Sequence, residues 1–438
     1  MSKTVAKYQQ YAEYKDSGVE WLGEIPSYWN LKKLKYLCKV TTGSRDTVNA
    51  VEDGEYPFFV RSQTIERINS VGADCEAVLT AGDGVGVGKV YHYYNGKFDF
   101  HQRVYMLYEF SSVTGRFVYY YLSSNFYKVA LEGNAKSTVD SLRLPQFLNF
   151  EFSVPTVAEQ NYIVDFLDHE TAKIDSLIEK QQQLIQLLKE KRQAVISHAV
   201  TKGLNPNVMM KDSGVEWLGQ VPEHWGITKL KWKALTTSGS TPTTSKYELY
   251  YENGNIPWIR TTDLNNSDLY ETPISITSKG VYDTACSILP INSILIAMYG
   301  GAGSIGKHAL LKFESTINQA VCGVLPSKYF NSDYLHRFYE FYRPFWMIGA
   351  MGTRKDPNIG QDHIKEATVL LPPLEEQEKI AKYILDIQLT YDNLTNRAEA
   401  AIHLMQERRT ALISAAVTGK IDVRNWQNPN NNNEAKME

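Results

Sequence analysis

The sequence has few cysteines, little net charge and no long apolar stretch, and each shortage excludes a class of protein. The 438 residues include four cysteines whose positions lack the spacing of metal ligands, so we expect reduced thiols and no zinc site. Lysine and arginine number 46 against 49 acidic residues, and this balance excludes a histone-like polycation but allows local basic patches. No run approaches the roughly 20 apolar residues of a membrane span and no signal peptide is present, which predicts a cytoplasmic protein without a membrane partner.

The sequence does contain an internal repeat. The nine residues KDSGVEWLG at 15–23 recur unchanged at 211–219, which is 196 positions later. A second match is offset by 217 positions and pairs Pro155, Glu159 and Gln160 with Pro372, Glu376 and Gln377. We therefore interpret the chain as one unit present twice, each copy consisting of an arm, a variable segment and a helix.

The last part of each copy has the pattern of a long helix. Apolar side chains alternate at steps of four and three over residues 158–200 and again over 375–417, as in a coiled coil. Each pattern follows a proline and ends near a glycine, at Gly203 and Gly419. Because each apolar seam needs a partner, we expect the two helices to pair antiparallel with each other. The alternative is that each is buried separately in its own half.

The variable segments, about 36–154 and 232–371, are predicted to be mostly β. Runs typical of strands lie at 56–60, 91–94, 104–108 and 256–259, and runs typical of helices at 116–129 and 334–345. The predicted class is α+β, with two mixed α/β domains joined by two long helices that form an antiparallel coiled coil with a pseudo-twofold repeat. The predicted divisions are 1–154 (arm and first domain), 155–204 (first helix), 205–371 (second arm and domain), 372–424 (second helix) and 425–438 (disordered tail).

A glycine-rich segment, Gly301–Gly306, fits the dinucleotide fingerprint G-x-G-x-x-G. That site needs a helix N-terminus next, whereas residues 307–313 are more typical of a strand. The matching segment of the first copy, 82–91, also runs into a predicted strand. We favour a hairpin loop, and a nucleotide-dependent enzyme using this loop remains an alternative. The sequence shows no other catalytic constellation, which favours a recognition or scaffold protein.

The arm D-S-G-V-E-W-L-G-x-[IV]-P-x-x-W occurs at 16–29 and 212–225. The sequence resembles the specificity subunit of type I restriction–modification enzymes. The resemblance rests on this arm, on the runs 256–261 and 305–307, and on the proline and the Glu-Gln pair at the start of each long helix. The resemblance extends over about residues 14–423 and is looser in the first variable segment.

The resemblance implies a subunit for phage defence that has no catalytic site. Two target-recognition domains would each read half of a bipartite double-stranded DNA site, with the helices setting the spacer. Two modification subunits would dock on the repeated regions and methylate adenine, and restriction subunits would add translocation and cleavage. This chain would bind no cofactor or metal, and S-adenosylmethionine, ATP and Mg are expected on the partners. A coiled-coil scaffold without DNA readout is a further alternative.

Sequence readout requires Arg or Lys for guanine and phosphate, and Asn or Gln for adenine, on exposed loops. In the first domain the DNA-binding candidates are Arg45, Arg61, Ser62, Gln63, Lys89, Arg103, Lys136, Ser137 and Thr138. In the second they are Arg260, Thr261, Thr262, Lys307, Asn318, Gln319, Arg354, Lys355 and Asn358. The loops 136–138 and 352–355 are the strongest candidates. For Arg61 and Arg260, the alternative is a structural ion pair with a buried carboxylate.

Overall fold

A computed structural model describes residues 8–130, 142–300, 303–350 and 358–429 of the chain. The chain divides into two compact units, Met1–Gln182 with Glu399–Glu438, and Gln183–Ala398. Each unit contains one arm, one β-rich domain and part of both long helices. The predicted recognition loops at 136–138 and 352–355, and positions 430–438 of the predicted tail, lie outside the described residues.

The described residues of the first unit form ten strands. They are β1 (Tyr14–Asp16), β2 (Glu24–Pro26), β3 (Asn30–Lys33), β4 (Lys39–Thr42), β5 (Tyr56–Phe59), β6 (Glu66–Ile68), β7 (Ala73–Ala81), β8 (Tyr91–Phe100), β9 (Val104–Tyr108) and β10 (Glu151–Val154). The helices are α1 (Gly115–Asn125), α2 (Tyr127–Ala130), α3 (Leu144–Leu148) and the start of α4 (Val157–Lys202). Six strands form the main sheet in the order β4-β9-β7-β8-β5-β6, and α1 packs on β7 and β8.

The second unit repeats this order with insertions. Its strands are β11 (Met210–Asp212), β12 (Gln220–Pro222), β13 (Gly226–Lys229), β14 (Thr236–Ser238), β15 (Ile256–Ile259), β16 (Asp268–Leu269), β17 (Ser275–Ile276), β18 (Ile294–Ala297), β19 (His308–Leu311), β20 (Thr316–Ile317), β21 (Val321–Val324) and β22 (Thr368–Leu371). Its helices are α5 (Tyr247–Tyr250), α6 (Ser278–Tyr282), α7 (Ser332–Ala350), α8 (Gln361–Lys365) and the first part of α9 (Leu374–Val417). The sheets have the orders β14-β21-β18-β19-β16 and β17-β15-β20.

The two domains can be matched by strand pairing. The end of β8 runs parallel to β5, with Phe59 opposite Phe100, and β20 runs parallel to β15, with Ile259 opposite Ile317. In the first domain β8 is one strand of 10 residues, whereas the second domain divides the same path between β19 and β20. His101 therefore corresponds to Asn318, the residue that follows each parallel pair.

A glycine follows the first strand of each domain at the same place. A Cβ on Gly43 would lie 1.9 Å from the carbonyl oxygen of Phe100, and one on Gly239 would lie 1.6 Å from that of Ile317. Any side chain at either position would collide with backbone, so the close approach requires glycine. The close contact at the glycine brings the loop after β4 beside the residues that follow β8. In the second domain it brings the loop after β14 beside the residues that follow β20.

The core of the first unit is aromatic and includes the long helices. Tyr121 stacks on Phe152 with ring centroids 4.2 Å apart, and both are fully buried with Leu167 of α4 and Val417 of α9. In the second unit, Ile196 and Val200 of α4 share a core with Ile380 and Ile384 of α9. Burial of such side chains stabilises the fold by roughly 1.5–3 kcal/mol each.

The predicted long helices at 158–200 and 375–417 are confirmed as Val157–Lys202 and Leu374–Val417. The Thr156 hydroxyl accepts a hydrogen bond from the Glu159 backbone N–H at 3.3 Å and caps the start of α4. Gly203 (φ 76°) and Gly419 (φ 74°) follow the two helix ends in the left-handed conformation. Trp426 packs on Phe166 of α4 with ring centroids 5.6 Å apart.

Both glycine-rich segments connect antiparallel strands. Residues 82–90 join β7 to β8, with Thr80 opposite Tyr91, and residues 298–307 join β18 to β19, with Ile296 opposite His308. A strand rather than a helix follows Gly306, as predicted, so the geometry that a dinucleotide fingerprint requires is missing there. Gly301 and Ala302 themselves lie outside the described residues.

Candidate DNA interface

Four loops of the first domain meet at one end of its sheet. They are residues 43–46 after β4, 60–65 after β5, 82–90 between β7 and β8, and 101–103 between β8 and β9, and we call them the first loop surface. The backbone N–H of Gln102 donates to the Arg45 carbonyl at 2.8 Å, and that of Gly82 donates to the Arg103 carbonyl at 2.8 Å. Main-chain hydrogen bonds therefore fix the relative positions of these loops.

Three predicted arginines lie together on the first loop surface. Arg61 Nη1 lies 2.8 Å from Asp83 Oδ1, and Arg103 Nη1 lies 3.0 Å from Asp83 Oδ2. Arg45 Nε lies 3.3 Å from Oδ2 of Asp99. The arginine side chains are exposed by 40%, 57% and 44% for Arg61, Arg103 and Arg45. The carboxylates fix the guanidinium groups without hiding them from solvent.

The remaining candidates of the first domain divide into two groups. Ser62, Gln63 and Lys89 are exposed on the same surface, and the Ser62 carbonyl oxygen lies 3.0 Å from His92 Nε2. Lys136, Ser137 and Thr138 lie outside the described residues.

Sequence reasoning missed two neighbours of the arginines. Gln102 is exposed, and its Nε2 donates to Asp46 Oδ2 at 2.8 Å. His101 is buried, and its Nδ1 accepts a hydrogen bond from the Arg103 backbone N–H at 2.9 Å. Burial lowers the pKa of His101, which favours the neutral form that this contact requires. The run His101-Gln102-Arg103 between two predicted strands was the available signal.

The second domain has a corresponding surface. It comprises residues 239–241, 260–265, 298–300, 303–307 and 318–320, and we call it the second loop surface. The Asn318 backbone N–H donates to the Ile259 carbonyl at 2.9 Å, as that of His101 does to Phe59 at 2.9 Å. The Met298 N–H donates to the Ala320 carbonyl at 2.8 Å, as Gly82 does to Arg103. The framework of the two surfaces is therefore the same.

Arg260 differs from Arg61 in position and partner. Strand pairing matches Arg260 with Val60 and Arg61 with Thr261, so the two arginines are offset from each other by one residue. The Arg260 backbone N–H donates to Asp263 Oδ2 at 2.8 Å, and its Nη2 lies 3.2 Å from Asp263 Oδ1. Asp263 is 8% exposed, so Arg260 makes the structural ion pair considered as its alternative role.

The other candidates of the second domain are mostly polar and uncharged. Thr261 is buried, which corrects the expectation of an exposed side chain there, because the turn that follows β15 folds it inward. Thr262, Gln319 and Asn358 are exposed, while Lys307 and Asn318 are partly buried. The Gln319 amide oxygen accepts from the Thr241 hydroxyl, and Asn318 Oδ1 accepts from the Ala320 N–H at 3.1 Å. Arg354 and Lys355 lie outside the described residues.

The arms are anchored on the Glu-Gln pairs of the long helices. Oε1 of Glu159 is buried and accepts from Tyr11 at 2.8 Å, Tyr28 at 2.9 Å and Trp29 Nε1 at 3.2 Å. Burial and the Glu159 carboxylate raise the pKa of Tyr28 to about 12, so its hydroxyl remains a donor.

The second copy repeats this anchor at Glu376. Its two carboxylate oxygens accept from Trp225 Nε1 at 2.8 Å and from His224 Nε2 at 2.7 Å. Glu376 is 38% exposed, so the same contact is made nearer to solvent than in the first copy.

The glutamines make identical contacts in both copies. Gln160 Oε1 accepts from the Thr114 N–H at 2.9 Å, and its Nε2 donates to the carbonyls of Ser112 at 2.9 Å and Pro155 at 3.1 Å. Gln377 does the same with Asn331 at 2.8 Å, Tyr329 at 3.0 Å and Pro372 at 2.9 Å. Both amides are fully buried and hold the loop that precedes a domain helix, α1 or α7. These repeated residues are structural connections between helix and domain.

The described part of the chain contains neither a candidate metal site nor a candidate membrane span. No cluster of three or more His, Cys, Asp or Glu side chains there could hold a metal ion. None of its helices is long and apolar enough to cross a membrane. All four cysteines are free thiols.

Two copies of one α/β domain, each with a loop surface at the same end of its sheet, define a duplicated recognition protein. A family model described as the type I restriction modification DNA specificity domain matches residues 26–187 and again 224–403. These matches cover most of the chain. The chain therefore belongs to the family of type I restriction–modification specificity subunits, which confirms the resemblance seen in the sequence.

Individual relatives agree with this assignment. The type I restriction enzyme EcoDI specificity subunit of Escherichia coli is 24% identical over 93% of this chain and 92% of its own length. The MjaIX specificity subunit of Methanocaldococcus jannaschii is 30% identical over 37% of this chain and 38% of its own. A solved structure of a type I R-M system has a TM-score of 0.65 at 13% identity, covering 91% of this chain and 99% of that one. The HsdS subunit from Thermoanaerobacter tengcongensis has a TM-score of 0.52 at 14% identity, covering 91% and 98%.

Proposed function

We propose that the chain is the non-catalytic subunit that selects a bipartite DNA site for adenine methylation. The observation that carries the proposal is the pair of loop surfaces, which share a framework and differ in side chains. Two loop surfaces with different side chains on one duplicated chain suit a DNA site whose halves differ in sequence. Acting on DNA, the protein would work in the cytoplasm with two modification subunits and, where present, restriction subunits.

The repeated anchors support two docking sites for one kind of partner. The same tryptophan and Glu-Gln contacts are made in each unit, and an interface presented twice recruits a partner twice. S-adenosylmethionine would be bound by the modification subunits, and ATP and Mg by the restriction subunits.

We propose that residues 1–154 and 205–371 are the two domains, each with its arm, and that residues 155–204 and 372–424 are the two long helices.

We further propose that α4 and α9 pair antiparallel and fix the spacer between the half-sites. In the first unit, Arg409 Nε lies 2.8 Å from Asp175 Oδ1, and the Ser153 hydroxyl, just before α4, lies 3.4 Å from the Val417 carbonyl at the end of α9. In the second unit, the Tyr334 hydroxyl lies 3.4 Å from the carbonyl of Val200 and 3.5 Å from that of Leu370. The end of each helix thus lies near the start of the other, which supports antiparallel pairing.

The test is to reconstitute the chain with its own modification subunit and map methyladenine across a genome. We expect one motif with two specific halves and an unread spacer. Methylation at a continuous palindrome, or none, would contradict the proposal. A nucleotide-dependent enzyme would instead bind nucleotide with micromolar affinity and lose it on Gly303→Val.

The spacer proposal has its own test. Removing seven residues, about two helical turns, from one long helix should change the spacer or abolish methylation and leave the half-site sequences unaltered. Altered half-sites with an unchanged spacer would show that the helices do not set the distance.

A further inference from the structure

Asp83 connects three loops of the first loop surface through one carboxylate. It lies between β7 and β8, Arg61 follows β5, and Arg103 lies between β8 and β9. Each carboxylate oxygen is used once, at 2.8 Å by Arg61 and at 3.0 Å by Arg103. The Asp83 side chain is 23% exposed, less than either arginine that it holds.

The backbone around this carboxylate is fixed on both sides. The Gly82 N–H donates to the Arg103 carbonyl at 2.8 Å, and the Gly82 carbonyl accepts from the Leu142 N–H at 2.9 Å. The Arg103 N–H is held by His101 Nδ1 at 2.9 Å. Asp83 and Arg103 therefore have little freedom to separate by loop movement.

The contacts leave the same edge of each guanidinium free. Arg61 and Arg103 each use Nη1 on Asp83, and within the described part of the chain their Nε and Nη2 groups make no hydrogen bond. A guanidinium presents five N–H donors in a planar fork, and two of them fit the O6 and N7 acceptors of guanine. A carboxylate at this place repels phosphate, so it does not serve general DNA affinity.

We propose that Asp83 is a positioning residue that sets the base choice of the first domain, by holding Arg61 and Arg103 as a pair of guanine readers. The proposal deepens the proposed function and rests on it. The ligand is the major-groove edge of guanine in the half-site read by the first domain. Without Asp83 the two guanidinium groups move independently and bind phosphates or bases without preference.

The second domain provides an internal control. Its position matching Arg103 is Ala320, and Arg260 is held by Asp263 within its own turn. A change at Asp83 should therefore leave the second half-site unaffected.

The experiment maps methyladenine made by the reconstituted complex carrying Asp83→Asn, Asp83→Glu or Asp74→Asn. Asp74 is exposed at the opposite end of β7, so its variant makes the same change in net charge away from the arginines. We expect Asp83→Asn to lower the preference for guanine in the first half-site by at least about tenfold. Asp83→Glu should retain much of that preference, and Asp74→Asn should match the parent.

Binding to a non-target duplex shows whether the Asp83→Asn variant is still folded when its base preference is lost. Asp83→Asn should bind such DNA at least as tightly as the parent and with a steeper salt dependence, because a negative charge is lost and two arginines are released. Uniformly slower methylation with unchanged base preference would overturn the proposal, as would a first half-site without guanine. If the asparagine variant does not fold, Arg103→Ala should by itself relax one guanine position, and an unrelaxed motif would overturn the proposal. Absence of any bipartite motif in the parent complex would instead refute the proposed function.

Discussion

The two recognition domains have the same loop framework but differ in the side chains that their loops carry at matched positions. Positions that correspond by strand pairing carry Arg45, Arg61 and Arg103 in the first domain and Thr241, Thr261 and Ala320 in the second. At these matched positions the first domain thus carries three guanidinium groups, whereas the second carries none, and its exposed Thr262 and Gln319 add a hydroxyl and an amide. We expect the half-site of the first domain to be read through guanine and that of the second more through adenine.

This difference shows how a target can change without refolding. The hydrogen bonds from His101 to Phe59 and from Asn318 to Ile259 use only backbone atoms. The loops therefore keep their places whatever side chains they carry. Recognition can diverge in the loops while the sheet and the anchors on the long helices remain the same.

The largest expected effect tests whether the two copies are equally anchored. Gln160→Ala and Gln377→Ala each remove three hydrogen bonds from a fully buried amide, and each should lower the free energy of unfolding by about 3 kcal/mol. The exposed Gln186→Ala is the matched control and should cost less than about 0.5 kcal/mol. Urea denaturation measures all three. Clearly unequal losses at Gln160 and Gln377 would mean that the two glutamines do not contribute equally, although their hydrogen bonds are the same.

Glu159 and Glu376 should contribute unequally to the free energy of unfolding. Glu159 is buried and accepts three hydrogen bonds, whereas Glu376 accepts two and is 38% exposed. We expect Glu159→Gln to cost about 2 kcal/mol and Glu376→Gln no more than about 1 kcal/mol, because charge-assisted contacts weaken near solvent. The same denaturation measurement applies. Equal costs would show that the difference in burial between Glu159 and Glu376 does not affect stability.

Arg61 should contribute mainly to DNA affinity and Arg260 mainly to the stability of the fold. Arg61→Ala should weaken binding of the reconstituted complex to its target by about 1–3 kcal/mol with a smaller salt dependence. Arg260→Ala should mainly lower stability, since it removes the partner of the nearly buried Asp263. Titration of labelled target DNA at several salt concentrations, with melting temperatures for each variant, distinguishes these effects. A larger affinity loss for Arg260→Ala at unchanged stability would reverse the assignment.

The repeat, the long helices and the hairpin loops were predictable because their signals are local, namely identical runs, a heptad pattern and glycines between strands. The ion pair of Arg61 with Asp83 was not, because it joins diverged loops 22 positions apart. The one-residue shift between Arg61 and Arg260 was also hidden, since both follow similar strands and only their pairing with β8 and β20 shows the register. Thr261 was misjudged for the same reason.

The smallest expected effect concerns buried histidines. In the first domain, His92 and His101 have hydrogen-bond partners, whereas in the described part of the second unit the ring nitrogens of His308 and His336 have none. Burial, with the charges of Arg337 and Arg343, lowers the pKa of His308 to about 3. The unfolded chain therefore binds a proton that the folded chain does not, and stability falls as pH drops below about 6.5.

Replacing the buried His308 ring should remove the part of the pH dependence of stability that this histidine causes. At pH 5.5, protonation of His308 in the unfolded chain costs about 1.4 kcal/mol that is absent at pH 7.5. His308→Leu should thus lose less stability than the parent between these two pH values, while the exposed His403→Leu should follow the parent. Melting temperatures at both pH values give the comparison. A parent and a His308→Leu variant with the same pH dependence would show that this histidine is protonated in the folded chain as readily as in the unfolded chain.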